Sequence, residues 1–64
     1  MPTAKTVKAL KVREGDILLG FGWYVFDTEL DNYLGRLSIY CHDNNGDECE
    51  VQVYPLTPIS IMRN

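Results

Sequence analysis

Turn-forming residues punctuate this chain at intervals too short for ordinary helices: Gly15-Asp16, Gly20, Gly22, Asp31-Asn32, Asn44-Asn45-Gly46, Pro55 and Pro58. Glycine and Asx residues favour chain reversal, and proline neither continues a helix nor donates to a sheet ladder. The stretches between them are therefore confined to short extended elements. Those stretches are Thr6 to Val12, Ile17 to Leu19, Trp23 to Asp27, Arg36 to His42, Glu50 to Tyr54 and Ile59 to Met62, all rich in β-branched or aromatic residues. The spacing predicts an all-β chain of five or six short antiparallel strands. One stretch carries a competing signal. Ala4, Val7 and Leu10 recur at every third position and Pro2 suits a first helical turn, which admits a short helix over Thr3 to Val12.

The Asn44-Asn45-Gly46 turn can be read to the level of register. Leu37, Ile39 and Cys41 share one face of the arm before it, and Cys49, Val51 and Val53 share one face of the arm after it. Burying both sets against one core pairs Cys41 with Cys49, Ile39 with Val51 and Leu37 with Val53. A two-residue turn would pair odd with even and bury the wrong side of one arm. The register thus selects a loop of Asn44, Asn45 and Gly46, closed by Asp43 and Asp47, with Gly46 left-handed in a bulge. It also sets Arg36 opposite Tyr54, Ser38 opposite Gln52, Tyr40 opposite Glu50 and His42 opposite Glu48 on the outward face. That face reads first as an ordinary solvated sheet surface and second as a contact patch, since Tyr and Arg anchor interfaces efficiently.

At 64 residues, 45% of them hydrophobic and 23% charged, the chain makes one domain, residues 1–64. A chain of this size buries only about 60% of the surface that its unfolded form exposes, so a homo-oligomer or a partner is expected. An open sheet with two bare edges is a liability, and the short strands are expected to curl into a small, partly open β-barrel. Apolar stretches as short as Ile17 to Leu19 cannot cross a bilayer as a helix, and no apolar segment of signal-peptide length follows Lys5 and Lys8. A cytoplasmic protein with no membrane partner is the corresponding expectation.

Several features together carry a resemblance. Leu10-Lys11-Val12-Arg13-Glu14-Gly15-Asp16-Ile17-Leu18 turns into a short strand, and the aromatic strand Trp23-Tyr24-Val25-Phe26 follows. A strand then starts at Gly35-Arg36, and the chain ends on Pro55-Leu56-Thr57-Pro58-Ile59-Ser60-Ile61. Over most of its length the chain resembles small SH3-like β-barrel proteins, including uncharacterised ones encoded by bacteriophages and their bacterial hosts. The resemblance implies a barrel used as a binding platform, with a phage-type accessory role such as modulating a host or defence protein, in the host cytoplasm if phage-encoded. It brings no active site with it.

The residues themselves point away from catalysis and metal binding. Cys41, His42 and Cys49 are zinc-type ligands, but adjacent strand residues point to opposite faces, so Cys41 and His42 cannot easily share one ion. Two small core thiols are the simplest reading. A cross-strand disulfide is sterically allowed, yet a chain without a secretory signal is expected to keep it reduced. Asp43 to Glu48 lacks the spacing of a calcium loop, and Gly20-Phe21-Gly22 is too short for a phosphate cradle. His42 is the only histidine, with Glu48 as its sole foreseeable neighbour. No enzyme, cofactor or metal site is expected.

Two binding hypotheses remain. Both sides of Trp23 to Phe26 are aromatic, so either Tyr24 and Phe26 or Trp23 and Val25 fill the barrel and the other pair is left for a partner or for peripheral packing. The first hypothesis is a non-enzymatic, self-associating protein-binding module using Phe21, Trp23, Tyr24, Arg36, Tyr40 and Tyr54. The second is a nucleic-acid binder that holds phosphates with Lys5, Lys8, Lys11 and Arg13, residues 1–5 forming a flexible basic arm, and stacks a base on an exposed ring. Residues 14–64 hold two basic and nine acidic side chains, a balance of −7. That balance repels phosphates and suits a basic protein surface, so nucleic acid is disfavoured.

Overall fold

A computed structural model describes all 64 residues. The chain forms β1 (Thr3–Lys8), one 3₁₀ turn at Ala9–Lys11, then β2 (Ile17–Leu18), β3 (Trp23–Asp31), β4 (Arg36–His42), β5 (Glu48–Val53) and β6 (Pro58–Arg63). All six strands belong to one sheet in the order β1-β6-β2-β3-β4-β5, and every neighbouring pair is antiparallel. The sheet curls into a partly open barrel, with β1 and β5 as its two edges.

The first expected strand, Thr6 to Val12, is divided. β1 starts at Thr3, taking three residues of the expected arm into the ladder with β6, and ends at Lys8. The chain then bends so that Ala9 and Val12, 0% and 5% exposed, reach the core. The bend is held by Ala9 N–H on Thr57 O at 2.8 Å and Leu10 N–H on Pro55 O at 2.9 Å. The threefold recurrence of Ala4, Val7 and Leu10 reflects this strand-to-turn switch; the only helical piece is the single 3₁₀ turn.

The β4–β5 hairpin has the register that alternation requires, with Cys41 opposite Cys49, Ile39 opposite Val51 and Leu37 opposite Val53. Asp43 N–H donates to Asp47 O at 2.9 Å, Gly46 N–H donates to Asp43 O at 3.0 Å, and Gly46 has φ +83°. Asp43 Oδ1 accepts from the amides of Asn45 and Asp47, so the side chain reinforces the loop that it closes. Arg36 and Tyr54 lie just past the end of this ladder rather than within it.

The core joins Ala9, Val12, Leu18, Val25, Leu37, Ile39, Cys41 and Ile61, with Trp23, Val7, Cys49, Val51, Val53 and Ile59 packed around it. One charged group lies among the buried residues. Asp16, 2% exposed, accepts Arg63 Nε on Oδ1 and Arg63 Nη2 on Oδ2, both at 2.8 Å, and the Arg13 amide at 2.9 Å. Arg63 Nη2 also donates to Lys11 O at 2.9 Å. This network ties the last strand to the segment between the 3₁₀ turn and β2.

Candidate protein-binding face

The pairing registers generate one continuous row across the outside of all six strands: Ala4, Met62, Ile17, Tyr24, His42 and Glu48, each opposite the next. Directly opposed residues in a sheet share a face. On the inner side the corresponding positions are Leu18, Trp23, Val25 and Cys41, which are buried in the core or pack on it. The ambiguity of the aromatic strand is resolved in this way: Trp23 and Val25 point inward, and Tyr24, 44% exposed, points out.

Phe26, two residues after Tyr24, shares its outer face by alternation and sits at a β-bulge. Val25 pairs with Cys41 and Asp27 with Tyr40, leaving Phe26 as the extra residue between them. Its ring stacks on His42 with centroids 4.5 Å apart and leans on Tyr40 at 6.3 Å. After the bulge the inward set changes parity, so Thr28 faces Ile39 and Leu30 faces Leu37. That change is written in the sequence, where the inward residues Trp23 and Val25 give way to Thr28 and Leu30. β3 consequently runs four residues beyond its expected end at Asp27.

Carboxylates border this aromatic group on β3 and β5. Asp27, Tyr40 and Glu50 form one outward row, and Glu29, Ser38 and Gln52 form the next. Glu50 accepts Ser38 Oγ at 2.8 Å and Gln52 Nε2 at 3.0 Å, and these hydrogen bonds hold its carboxyl below the ordinary range. The only ion pair in the molecule is Arg63–Asp16, so Asp27, Glu29, Glu48 and Glu50 face solvent without a cationic side chain. Phe26, Tyr40, Glu48, Cys49 and Glu50 enclose a shallow hollow of about 250 Å³.

The six residues expected at a protein interface occupy three places. Tyr24 and Tyr40 belong to the outer face just described. Arg36 and Tyr54 border a second shallow hollow with Gln52, Val53 and Thr57 at the end of the β4–β5 hairpin. Trp23 is on the core side, and Phe21 stacks against it with centroids 4.4 Å apart, so this pair lids the barrel end rather than extending the outer face. His42 lies on the outward side opposite Glu48, as the alternation of the hairpin requires, and Phe26 shares the side of Tyr24; neither is among the six residues expected at the interface.

Lys5, Lys8, Lys11 and Arg13 are exposed and none is ion-paired. Lys5 lies opposite Ile61 and Lys8 opposite Pro58, three positions apart on one strand and hence on opposite sides of the sheet. Lys11 and Arg13 follow in the turn beneath it. The four cations are therefore not gathered on one face of the sheet.

Cys41 and Cys49 face each other across the hairpin on the inner side, and His42 and Glu48 occupy the outer side. Both thiols are free, and burial first, then the neighbouring Cys49, pushes the Cys41 thiol up to about 11. No helix is long and apolar enough to cross a membrane. Comparison with known protein families, curated proteins and solved structures finds no match.

Proposed function

We propose that this chain is a non-enzymatic binding module, a small SH3-like barrel that self-associates and engages a basic protein surface through the outer face of β3, β4 and β5. The observation that carries the reading is the clustering of Tyr24, Phe26, Tyr40 and His42 on a solvent-facing sheet, bordered on β3 and β5 by four carboxylates without cationic partners. Aromatic rings supply contact area at low entropic cost and attract cations over their faces, and the carboxylates steer a basic partner into place. A phage-type accessory role in the host cytoplasm, modulating a host or defence protein, is the biological setting that accords with this reading.

The nucleic-acid alternative rests on the exposed Lys5, Lys8, Lys11 and Arg13. Lys5 and Lys8 project from opposite sides of β1, and this dispersal together with the acidic outer face counts against it.

An NMR titration separates the two. ¹⁵N-labelled protein is titrated with a Lys/Arg-rich peptide carrying apolar residues, a matched Asp/Glu-rich peptide and a mixed single-stranded oligonucleotide. The expected result is that only the basic peptide shifts the amides of β3 to β5, and that Tyr40→Ala removes those shifts while the protein stays folded. Shifts confined to Lys5 through Arg13, produced by the oligonucleotide, would overturn the proposal.

A further inference from the structure

The sheet ends on two strands of equal length and opposite charge. β1, Thr3–Lys8, carries Lys5 and Lys8 and no acid, whereas β5, Glu48–Val53, carries Glu48 and Glu50 and no base. With six strands in strict antiparallel alternation, the two edges run in opposite directions. A second copy displaced sideways therefore brings its β1 alongside the first copy's β5 in the antiparallel sense used throughout the sheet.

The backbone groups on the two edges match as well. Asp43 N–H bonds Asp47 O, so alternation along the hairpin turns the amides and carbonyls of Cys49, Val51 and Val53 toward β4 and those of Glu48, Glu50 and Gln52 toward the free edge. At the other edge, Leu19 N–H bonds Ser60 O, which directs Ser60 and Met62 toward β2 and leaves Ile59, Ile61 and Arg63 to bond Val7, Lys5 and Thr3. The free groups of β1 therefore belong to Ala4, Thr6 and Lys8. None of these six free-edge residues makes a backbone hydrogen bond in a turn or loop. On both edges the free groups come from outer-face residues, so a joined pair keeps a single pleat.

We infer that copies of this chain add edge to edge, β1 of one against β5 of the next, with Thr6 opposite Glu50, Lys8 opposite Glu48 and Ala4 opposite Gln52. This register uses all six residues of each strand. On the inner side it sets Val7 against Cys49 and lays the aliphatic stem of Lys5 over Val51, covering half-buried apolar positions. Charge selects the pairing: two β1 edges or two β5 edges place like charges together, while β1 on β5 places unlike charges together. The contact is heterologous and leaves a free β1 at one end and a free β5 at the other, so it grows head to tail instead of stopping at a two-fold dimer. Each added copy repeats the outer aromatic face along a widened sheet, which raises the avidity for an extended partner. The inference depends on the edges alone and stands or falls separately from the identity of the partner.

Sedimentation velocity on the full chain, at protein concentrations up to about 1 mM and in low (~20 mM) and moderate (~300 mM) salt, tests this. Expected are a weight-average mass that climbs with concentration beyond a dimer and an association constant at least several-fold weaker at the higher salt. Lys8→Glu and Glu48→Lys should each weaken association by about tenfold or more, and the double variant should restore it. Thr6→Pro removes an outward-facing edge N–H and should leave a monomer, with circular dichroism reporting the retained sheet. For any variant that loses the sheet, the charge-reversal pair carries the test. A monomer at every concentration, a closed dimer that grows no further, or a double variant no better than either single one would overturn the inference.

Discussion

Arg63, one residue from the end of the chain, closes both carboxylate oxygens of Asp16 at 2.8 Å, in a site where Asp16 retains 2% of its surface. Bidentate geometry of this kind is the strong form of a charge-assisted bond. It continues the β2–β6 pairing by one position, since Ile17 lies opposite Met62 and Asp16 and Arg63 are the next residues along. The remaining donors around it, the Arg13 amide to Asp16 and Arg63 to the Lys11 carbonyl, leave no buried side-chain polar atom unsatisfied.

Removing one partner leaves the other without compensation. Arg63→Ala is expected to destabilise the domain markedly, because it leaves the buried Asp16 carboxylate without its cation. The double change Asp16→Asn with Arg63→Met should recover part of that loss. Urea unfolding of Asp16→Asn, Arg63→Met and the double variant measures the coupling, and strictly additive effects would contradict the geometry.

The same pair makes the fold acid-sensitive. Burial pushes the Asp16 carboxyl up, but the Arg63 hydrogen bonds, the Arg13 amide and the charges of both arginines outweigh it and hold the group below its ordinary 3.8. A carboxyl depressed in the folded state contributes stability that is fully present above the unfolded value and is lost as pH falls through the folded one. Thermal unfolding should therefore show a stability plateau above about pH 5 and a decline below about pH 4. In Asp16→Asn that acid-side slope should flatten.

Gly46 has φ +83° with open space where a side chain would project, so the penalty for replacing it comes from the backbone alone. Gly46→Val is expected to lower stability by about 1–3 kcal/mol, and Gly46→Asn by less, because asparagine tolerates the left-handed region better than a β-branched residue. Chemical denaturation of the two variants checks the order. Equal losses would argue against the bulged loop.

The thiols should differ in reactivity. Cys41 is fully buried with its thiol raised to about 11, whereas Cys49 on the edge strand is half-buried. Alkylation followed by mass spectrometry at mildly alkaline pH should modify Cys49 in the folded protein and Cys41 only on unfolding. Rapid labelling of Cys41 in the native state would place it outside the core.

Trp23→Ala tests the assignment of the two aromatic sides. With Trp23 packed on the core and Phe21 stacked on it, truncation should cost ~3 kcal/mol. Tyr24→Ala, on the outer face, should change stability by well under 1 kcal/mol. Thermal melts of the pair decide between them, and a larger loss for Tyr24→Ala would reverse the faces.

The hairpin from Arg36 to Val53 was legible residue by residue, because strict alternation leaves one register that buries Leu37, Ile39, Cys41, Cys49, Val51 and Val53 together. Turn chemistry likewise announced Gly46 and the all-β class. Local pattern alone could not show how strands distant in sequence combine. β6 lies between β1 and β2, and only that arrangement lines up Ala4, Met62, Ile17, Tyr24, His42 and Glu48 across the sheet. Phe26 shares the side of Tyr24 by alternation, but the bulge that brings Asp27 out beside it and turns Thr28 inward depends on the partner strand. Asp16 read as a turn residue, since nothing near it in sequence predicts a buried carboxylate. Its cation arrives from Arg63, and only folding brings the two charges together. Local periodicity and turn preference determined the elements, whereas long-range pairing decided which side chains meet, because that choice depends on burying one shared core.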